Sequence, residues 1–382
     1  MRFTLSKKLF AAALKAVHPA VPTRPGVPVL GCVRIDASAD GLSLRTTDLE
    51  LTVERRITEG VSVRKHGSAA VPAKVLGKAV SVMPEENLTF ESTGDDVRSG
   101  LDLRAGSRIV TLRAYSPEDW PAGRSESDLG AIARVQGAAL ADALVRAAVC
   151  ASQDDLRPVL TGVALVFQEG SRTLEVVATD SYRLGLIEVS LTEAPSAPVR
   201  PPLIPSRIAK TLAKQLKGVR EGVRLVIEEA PDGGESLVRF AWGDTVWTAR
   251  AIEGEFPNWR QVIPEPEGGL LDADAGEFES ALTAAASVRT GTSAPIRLSL
   301  DRTCTLTLDE VEVGTLTEEL EDATFDPDGV GALEVAFNPD YLLDGVRFIG
   351  EERVRMWLRD GLKPGLLEGS DRRYAVMPIR LP

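Results

Sequence analysis

Leu174-Glu175-Val176-Val177-Ala178-Thr179-Asp180-Ser181-Tyr182-Arg183-Leu184 is an alternating strand that ends on Thr-Asp and runs into a second strand. The same pattern stands earlier in the chain, as Leu42-Ser43-Leu44-Arg45-Thr46-Thr47-Asp48-Leu49-Glu50-Leu51. A weaker third copy is Thr305-Leu306-Thr307-Leu308, followed by Val311-Glu312-Val313-Gly314-Thr315-Leu316. Period-two alternation reads as a half-buried strand, and a carboxylate after threonine at a strand end closes a turn. A pattern met three times in one chain is an internal repeat.

The flanks of each copy repeat as well. Helical spacing precedes them at 6–17, 136–150 and 275–288, and follows them at 72–83, 205–217 and 338–349. Pro72 and Pro205 are expected in the first helical turn, where proline is tolerated. Strand pairs come next, such as Leu237–Trp242 and Thr245–Arg250 around a Gly243-Asp244 hairpin turn. Asp119-Trp120-Pro121 and Phe256-Pro257-Asn258-Trp259 mark the seams. The 382 residues divide into three repeats, expected at 1–126, 127–256 and 257–382. Each reads as two helices and six to eight strands, an α+β plan with helices packed on β-sheet.

Hydrophobic content of 43% with 26% charged residues fits a soluble globular chain. No apolar run is long enough to span a membrane, and Lys15 breaks the only stretch resembling a leader, so residues 6–17 read as an amphipathic helix. Cys32, Cys150 and Cys304 are far apart and odd in number, which suits small buried hydrophobes in a reducing cytoplasm.

Net charge is −12, which taken whole disfavours nucleic acid. The distribution says otherwise: eight of ten lysines (7, 8, 15, 74, 78, 210, 214 and 217) fall in three of the six helices. In the helix at 205–217, Ile208, Leu212 and Leu216 form an apolar stripe, and Arg207, Lys210, Lys214 and Lys217 occupy another face. One such helix is an ordinary solvated face. Three of one sign in an acidic chain point to loose, sequence-independent contact with phosphates, which permits sliding. A second asymmetry concerns assembly. Arg98, Arg104, Arg108 and Arg113 stand against Asp102 in the first repeat, and residues 301–328 hold ten acids, Glu318 and Glu319 among them, against Arg302. Opposite signs at opposite ends favour head-to-tail edge pairing into a closed ring, as against two solvated edges guarded by charge.

Chemistry finds little footing. His18 and His66 stand apart from cysteine and from each other, and no zinc, Walker, dinucleotide or Gly-x-Ser-x-Gly spacing occurs. Asp48 and Asp180 read as turn-closing groups, and Asp154-Asp155 and Glu228-Glu229 as solvated pairs. The reading is a non-enzyme with no cofactor and no metal.

The chain resembles the bacterial sliding clamp, the β subunit of DNA polymerase III holoenzyme. The resemblance rests on Met1-Arg2-Phe3-Thr4-Leu5, Arg24-Pro25-x-x-Pro28-Val29-Leu30, Val177-Ala178-Thr179-Asp180, Arg183-Leu184, Phe256-Pro257, Asn338-x-x-Tyr341-x-Leu343-Asp344 and the ending Tyr374-Ala375-Val376-Met377-Pro378-Ile379-Arg380-Leu381. It implies a DNA-clamp fold in a head-to-tail homodimer around double-stranded DNA, with Arg24 near the hole. Lys74, Lys78, Lys210, Lys214 and Lys217 are added as DNA-contacting residues from charge and periodicity, and Arg104, Arg108, Glu318 and Glu319 as dimer-interface residues. The resemblance also implies a pocket that docks peptides of the DNA polymerase III catalytic subunit, the clamp loader and other clamp-binding proteins. Its matching positions are Leu160, Thr179, Arg183, Leu184, Pro257, Val262, Asn338, Tyr341, Leu362, Val376, Met377, Pro378, Ile379 and Arg380. Leu184 and Val376, taken singly, read equally as core. Ser181-Tyr182 stands where Gly-His is common, Gln261 where a basic residue is frequent, Ser293 where a large apolar one is found, and Pro382 follows the usual terminal leucine. These departures leave open a second, specialised clamp, such as one conferring inhibitor resistance. A monomeric peptide-docking module and an enzyme on a repeated scaffold are the rival readings.

Overall fold

The computed structural model describes the chain apart from residues 94–99, 122–130, 229–235, 290–293, 311–312 and 381–382. It forms two compact units, Met1–Arg134 with Arg220–Ala251, and Val135–Val219 with Ile252–Pro382.

The first repeat runs β1 (Arg2–Ser6), α1 (Lys7–Val17), β2 (Cys32–Ser38), β3 (Gly41–Thr47), β4 (Leu51–Ile57), β5 (Val61–Lys65), β6 (Gly67–Pro72), α2 (Ala73–Val82), β7 (Asn87–Ser92), β8 (Leu101–Ala105) and β9 (Arg108–Leu112). The second runs β10 (Ala131–Gln136), α3 (Gly137–Ala147), β11 (Gly162–Phe167), β12 (Thr173–Thr179), β13 (Arg183–Glu193), β14 (Leu203–Pro205), α4 (Ser206–Leu216), β15 (Gly222–Glu228), β16 (Leu237–Trp242) and β17 (Thr245–Arg250). The third runs β18 (Gly269–Asp274), α5 (Ala275–Ala285), β19 (Ile296–Leu300), β20 (Cys304–Glu310), β21 (Gly314–Leu320), β22 (Ala323–Asp326), β23 (Leu333–Phe337), α6 (Pro339–Ile349), β24 (Arg353–Leu358), β25 (Gly365–Glu368) and β26 (Arg372–Val376). All six expected helices form. The strands number eight or nine per repeat, above the expected six to eight, because short exposed strands such as Val61–Lys65 carry no clear alternation.

In the first unit, β5-β1-β7-β8-β9 form one sheet. A second runs β6-β2-β3-β4-β17-β16-β15. In the second unit one sheet runs β14-β11-β12-β13-β26-β25-β24-β18-β22, and a separate sheet β21-β20-β19-β23 stands beside it. Every pairing named is antiparallel. The helices pack in pairs, α1 on α2, α3 on α4 and α5 on α6. In α4 the stripe Ile208, Leu212 and Leu216 is buried, with Ala209 and Ala213. Trp120 lies in one core with Val29, Cys32 and Ala70, and Trp259 in another with Val177, Leu184 and Ala375.

Three sequence readings are corrected by local chemistry. Pro72 and Pro205 stand one residue before their helices, at the end of a strand, where a fixed φ near −50° suits the cap position. Lys7 is not a free cation, because its ammonium donates to the Met83 carbonyl at 2.7 Å and meets Glu85 at 2.7 Å. Glu228 is not solvated but pairs with Arg239 at 2.6 Å on adjacent strands.

Both Thr-Asp turns close with one hydrogen-bond set. Thr47 Oγ1 donates to the Leu51 carbonyl at 3.1 Å, and Asp48 Oδ1 accepts from the N–H groups of Glu50 and Leu51 at 3.0 and 2.7 Å. Thr179 Oγ1 donates to the Arg183 carbonyl at 2.7 Å, and Asp180 Oδ1 accepts from Tyr182 and Arg183 at 2.9 and 3.0 Å. Each turn places a non-glycine residue in the left-handed region, Leu49 at φ 79° and Ser181 at φ 80°. Asp48→Ala strands two backbone donors and is expected to cost about 1–2 kcal/mol in thermal unfolding. Leu49→Gly relieves the strained φ and is expected to raise stability by up to about 1 kcal/mol in the same measurement.

The three cysteines are free and buried, and burial pushes the Cys32 thiol up to about 11. Because the thiolate is the reactive form, the native chain is expected to react slowly with a thiol reagent near neutral pH and to release all three thiols on unfolding.

Candidate functional site

In the second unit the Thr179–Arg183 turn meets the end of β26. The Met377 N–H donates to the Tyr182 carbonyl at 2.8 Å. Beside this junction opens a groove of about 450 Å³. One wall is the turn itself with Arg157, Val159 and Leu160, and the other is Ala375, Val376 and Met377 with Pro364. Pro257, Trp259 and Val262 complete the lining. The groove is apolar with few convergent polar groups, a form suited to binding rather than chemistry.

Arg183 anchors the turn. Its guanidinium meets Asp180 at 2.9 Å and Asp344 at 2.5 Å, donates to the Val149 carbonyl at 2.9 Å, and lies 4.4 Å from the centre of the Tyr341 ring. Burial works against its charge, yet Tyr374 and the Asp344 hydrogen bond hold its pKa above the ordinary value. Both carboxylates are thereby spent on structure. Tyr374 is fully buried, which pushes its phenol well up, and its hydroxyl donates to the Tyr341 carbonyl at 2.7 Å. Below the turn, Cys150 is held as a neutral thiol by burial. Among the described residues no group of three or more His, Cys, Asp or Glu could hold a metal.

Of the predicted pocket residues, Leu160, Thr179, Arg183, Leu184, Pro257, Val262, Val376 and Met377 line this groove. Six others do not. Asn338 is the cap of α6, its side chain accepting from the Asp340 N–H at 2.9 Å and the Tyr341 N–H at 3.3 Å. Tyr341 lies behind the wall against Arg183 and Tyr182. Leu362 stands 62% exposed in a turn. Pro378, Ile379 and Arg380 follow the end of β26, and the Ile379 N–H ties that segment to the Ala336 carbonyl at 2.7 Å. Val159, Ser181, Tyr182, Trp259 and Ala375 line the groove without having been singled out for it. Each adjoins a predicted position, so neighbourhood was the available signal; Arg157 and Pro364 carried none. Gln261 lies on the short helical turn Trp259–Gln261 outside the lining, and Ser293 and Pro382 fall outside the described residues.

The basic candidates Arg24, Lys74 and Lys78 are exposed in the first unit, and Lys74 donates to the Thr23 carbonyl at 3.3 Å. Lys210, Lys214 and Lys217 are exposed in the second, and no carboxylate among the described residues pairs with them. Arg104 is engaged by Asp102 at 2.6 Å and Arg108 by the Val82 carbonyl. Arg98 and Glu312 lie outside the described residues. Glu318 and Glu319 are on β21, and β9 and β21 are each the last strand of their sheet.

Comparison with known proteins agrees with this architecture. The chain matches the DNA polymerase III beta subunit N-terminal domain over residues 1–123, its central domain over 134–258 and its C-terminal domain over 260–380. It is 29% identical to the beta sliding clamp of Synechococcus elongatus over the whole of both chains. Its fold is similar to the DNA polymerase sliding clamp of Bacillus subtilis, with a TM-score of 0.90 at 22% identity, and to the DNA polymerase III subunit beta of Pseudomonas aeruginosa, with 0.89 at 26%, each covered completely. With all three domains of that family present in order, the chain belongs to the DNA polymerase III beta subunit family, the bacterial sliding clamps.

Proposed function

We propose that two copies of this chain join head to tail into a cytoplasmic ring that encircles double-stranded DNA without reading its sequence. The ring tethers the DNA polymerase III catalytic subunit and admits the clamp loader and other peptide-bearing partners at the groove beside Tyr182. The family is one of non-catalytic processivity factors, and the chain is no enzyme. Its three domains are taken as 1–126, 127–256 and 257–382.

One observation carries the ring. The last strand of the second repeat, β17, pairs with β4 of the first, with Ala249 opposite Leu51, Trp247 opposite Val53 and Thr245 opposite Arg55. The last strand of the third repeat, β26, pairs with β13 of the second in the same register, with Val376 opposite Arg183, Tyr374 opposite Gly185 and Arg372 opposite Ile187. The corresponding strands of the remaining pair, β9 of the first repeat and β21 of the third, have no partner on their outer sides in the sheets described. Bringing β9 of one copy onto β21 of another repeats the junction once more, which is a heterologous contact that closes if the rotation allows. Counted from the hairpin turns, the shared register sets Val110 opposite Leu316, both half-buried, and Arg108 opposite Glu318.

The exposed cations Arg24, Lys74, Lys78, Lys210, Lys214 and Lys217 support phosphate contact without base readout. A second reading, a specialised clamp, is favoured by Tyr182 and the strained Ser181 in the groove wall. Partner-peptide affinities equal to those of a coexisting main clamp would argue against it.

Arg108→Glu is expected to shift the chain toward monomer in sedimentation, and Glu318→Arg in the same chain to restore part of the dimer. A Val110→Cys, Leu316→Cys pair is expected to oxidise to a linked dimer and then to a closed ring. Monomeric wild-type chain, or no cross-link, would contradict the register. Replacing Lys210, Lys214 and Lys217 by alanine should flatten the dependence of DNA affinity on salt, lowering the log–log slope by roughly one for each phosphate that the lysines neutralise, equally on all sequences.

A further inference from the structure

The groove wall contains one side chain whose role the docking reading does not specify. Tyr182 is 58% exposed, and its backbone is held on both sides. Its N–H donates to Asp180 Oδ1 at 2.9 Å, and its carbonyl accepts from Met377 at 2.8 Å. The preceding residue, Ser181, is fixed at φ 80° with its N–H on Thr179 Oγ1 at 3.1 Å. Only the Tyr182 ring retains freedom, and it lies against Tyr341, centres 6.4 Å apart with planes 30° from parallel. Tyr341 is itself fixed, by the Arg183 guanidinium 4.4 Å from its ring centre and by the Tyr374 hydroxyl on its carbonyl at 2.7 Å.

The result is an aromatic ring held at the margin of an apolar groove before any ligand arrives. Such a ring costs little conformational entropy on binding, and its quadrupole distinguishes an aromatic partner from an aliphatic one of equal size. The other groove residues cannot make that distinction. Trp259 is buried with Arg260 over its ring, and the remaining apolar lining is aliphatic, proline or methionine. Building on the docking reading, we propose that Tyr182 is a specificity-determining residue that selects peptides presenting an aromatic side chain to its ring.

The test uses a labelled peptide with two adjacent leucines followed by phenylalanine, and a second peptide with cyclohexylalanine in place of the phenylalanine. Both are titrated by fluorescence polarisation into the full chain. The wild type is expected to bind the phenylalanine peptide about three- to tenfold tighter, the range of an aromatic pair beyond its buried area. Tyr182→Phe should keep that preference. Tyr182→Leu should still bind both peptides, with the preference gone. Equal affinity of the wild type for the two peptides, or a preference that survives in Tyr182→Leu, overturns the proposal while leaving the docking reading intact. Binding of neither peptide by the wild type removes the docking reading, and this inference with it.

Discussion

A strand at the edge of a sheet exposes backbone donors and acceptors that must be paired, covered or left to water. That requirement organises this protein. The last strand of one repeat satisfies the edge of the hairpin in the repeat before it, first as β17 on β4 and again as β26 on β13. The paired residues face each other in the same register both times, with a large aromatic, Trp247 or Tyr374, buried at the middle position. Three repeats in one chain supply only two such junctions, so one donor strand and one acceptor strand remain.

The same junction explains where the groove lies. In both cases the turn after the Thr-Asp motif receives a backbone N–H from the end of the incoming strand, at 2.8 Å from Arg250 to Glu50 and at 2.8 Å from Met377 to Tyr182. The backbone geometry is shared, but the side chains differ. The first junction carries Glu50 and Arg250, and the second Tyr182 and Met377. Apolar side chains at the second give a partner something to bury, and Arg183, clamped between Asp180 and Asp344, keeps the turn from yielding when it does.

Much of this was legible in the sequence because it depends on local rules. The six helices follow from spacing such as Ile208, Leu212 and Leu216, and the hairpin at Gly243-Asp244 from turn chemistry. The Thr-Asp carboxylates behave as turn closers because Asp48 and Asp180 each have two backbone donors within reach. What stayed hidden depends on distant partners. Lys7 looked like a free cation until Met83 and Glu85 arrived from far along the chain, and Glu228 looked solvated until Arg239 came beside it. For the groove, eight of the family-implied positions line it, whereas Asn338 and Tyr341 act one layer back, as a helix cap and a support for the wall. No spacing rule separates a lining residue from the one that holds it in place.

If the leftover edges meet in a second copy, the link to DNA is topological and the cations need only keep the duplex centred. The most direct test loads the protein on nicked circular DNA, removes unbound chain and then cuts the circle. The account predicts retention on the closed circle and rapid loss once ends exist. Equal retention on linear and circular DNA would mean that the chain holds DNA by direct contact, and the ring would be contradicted.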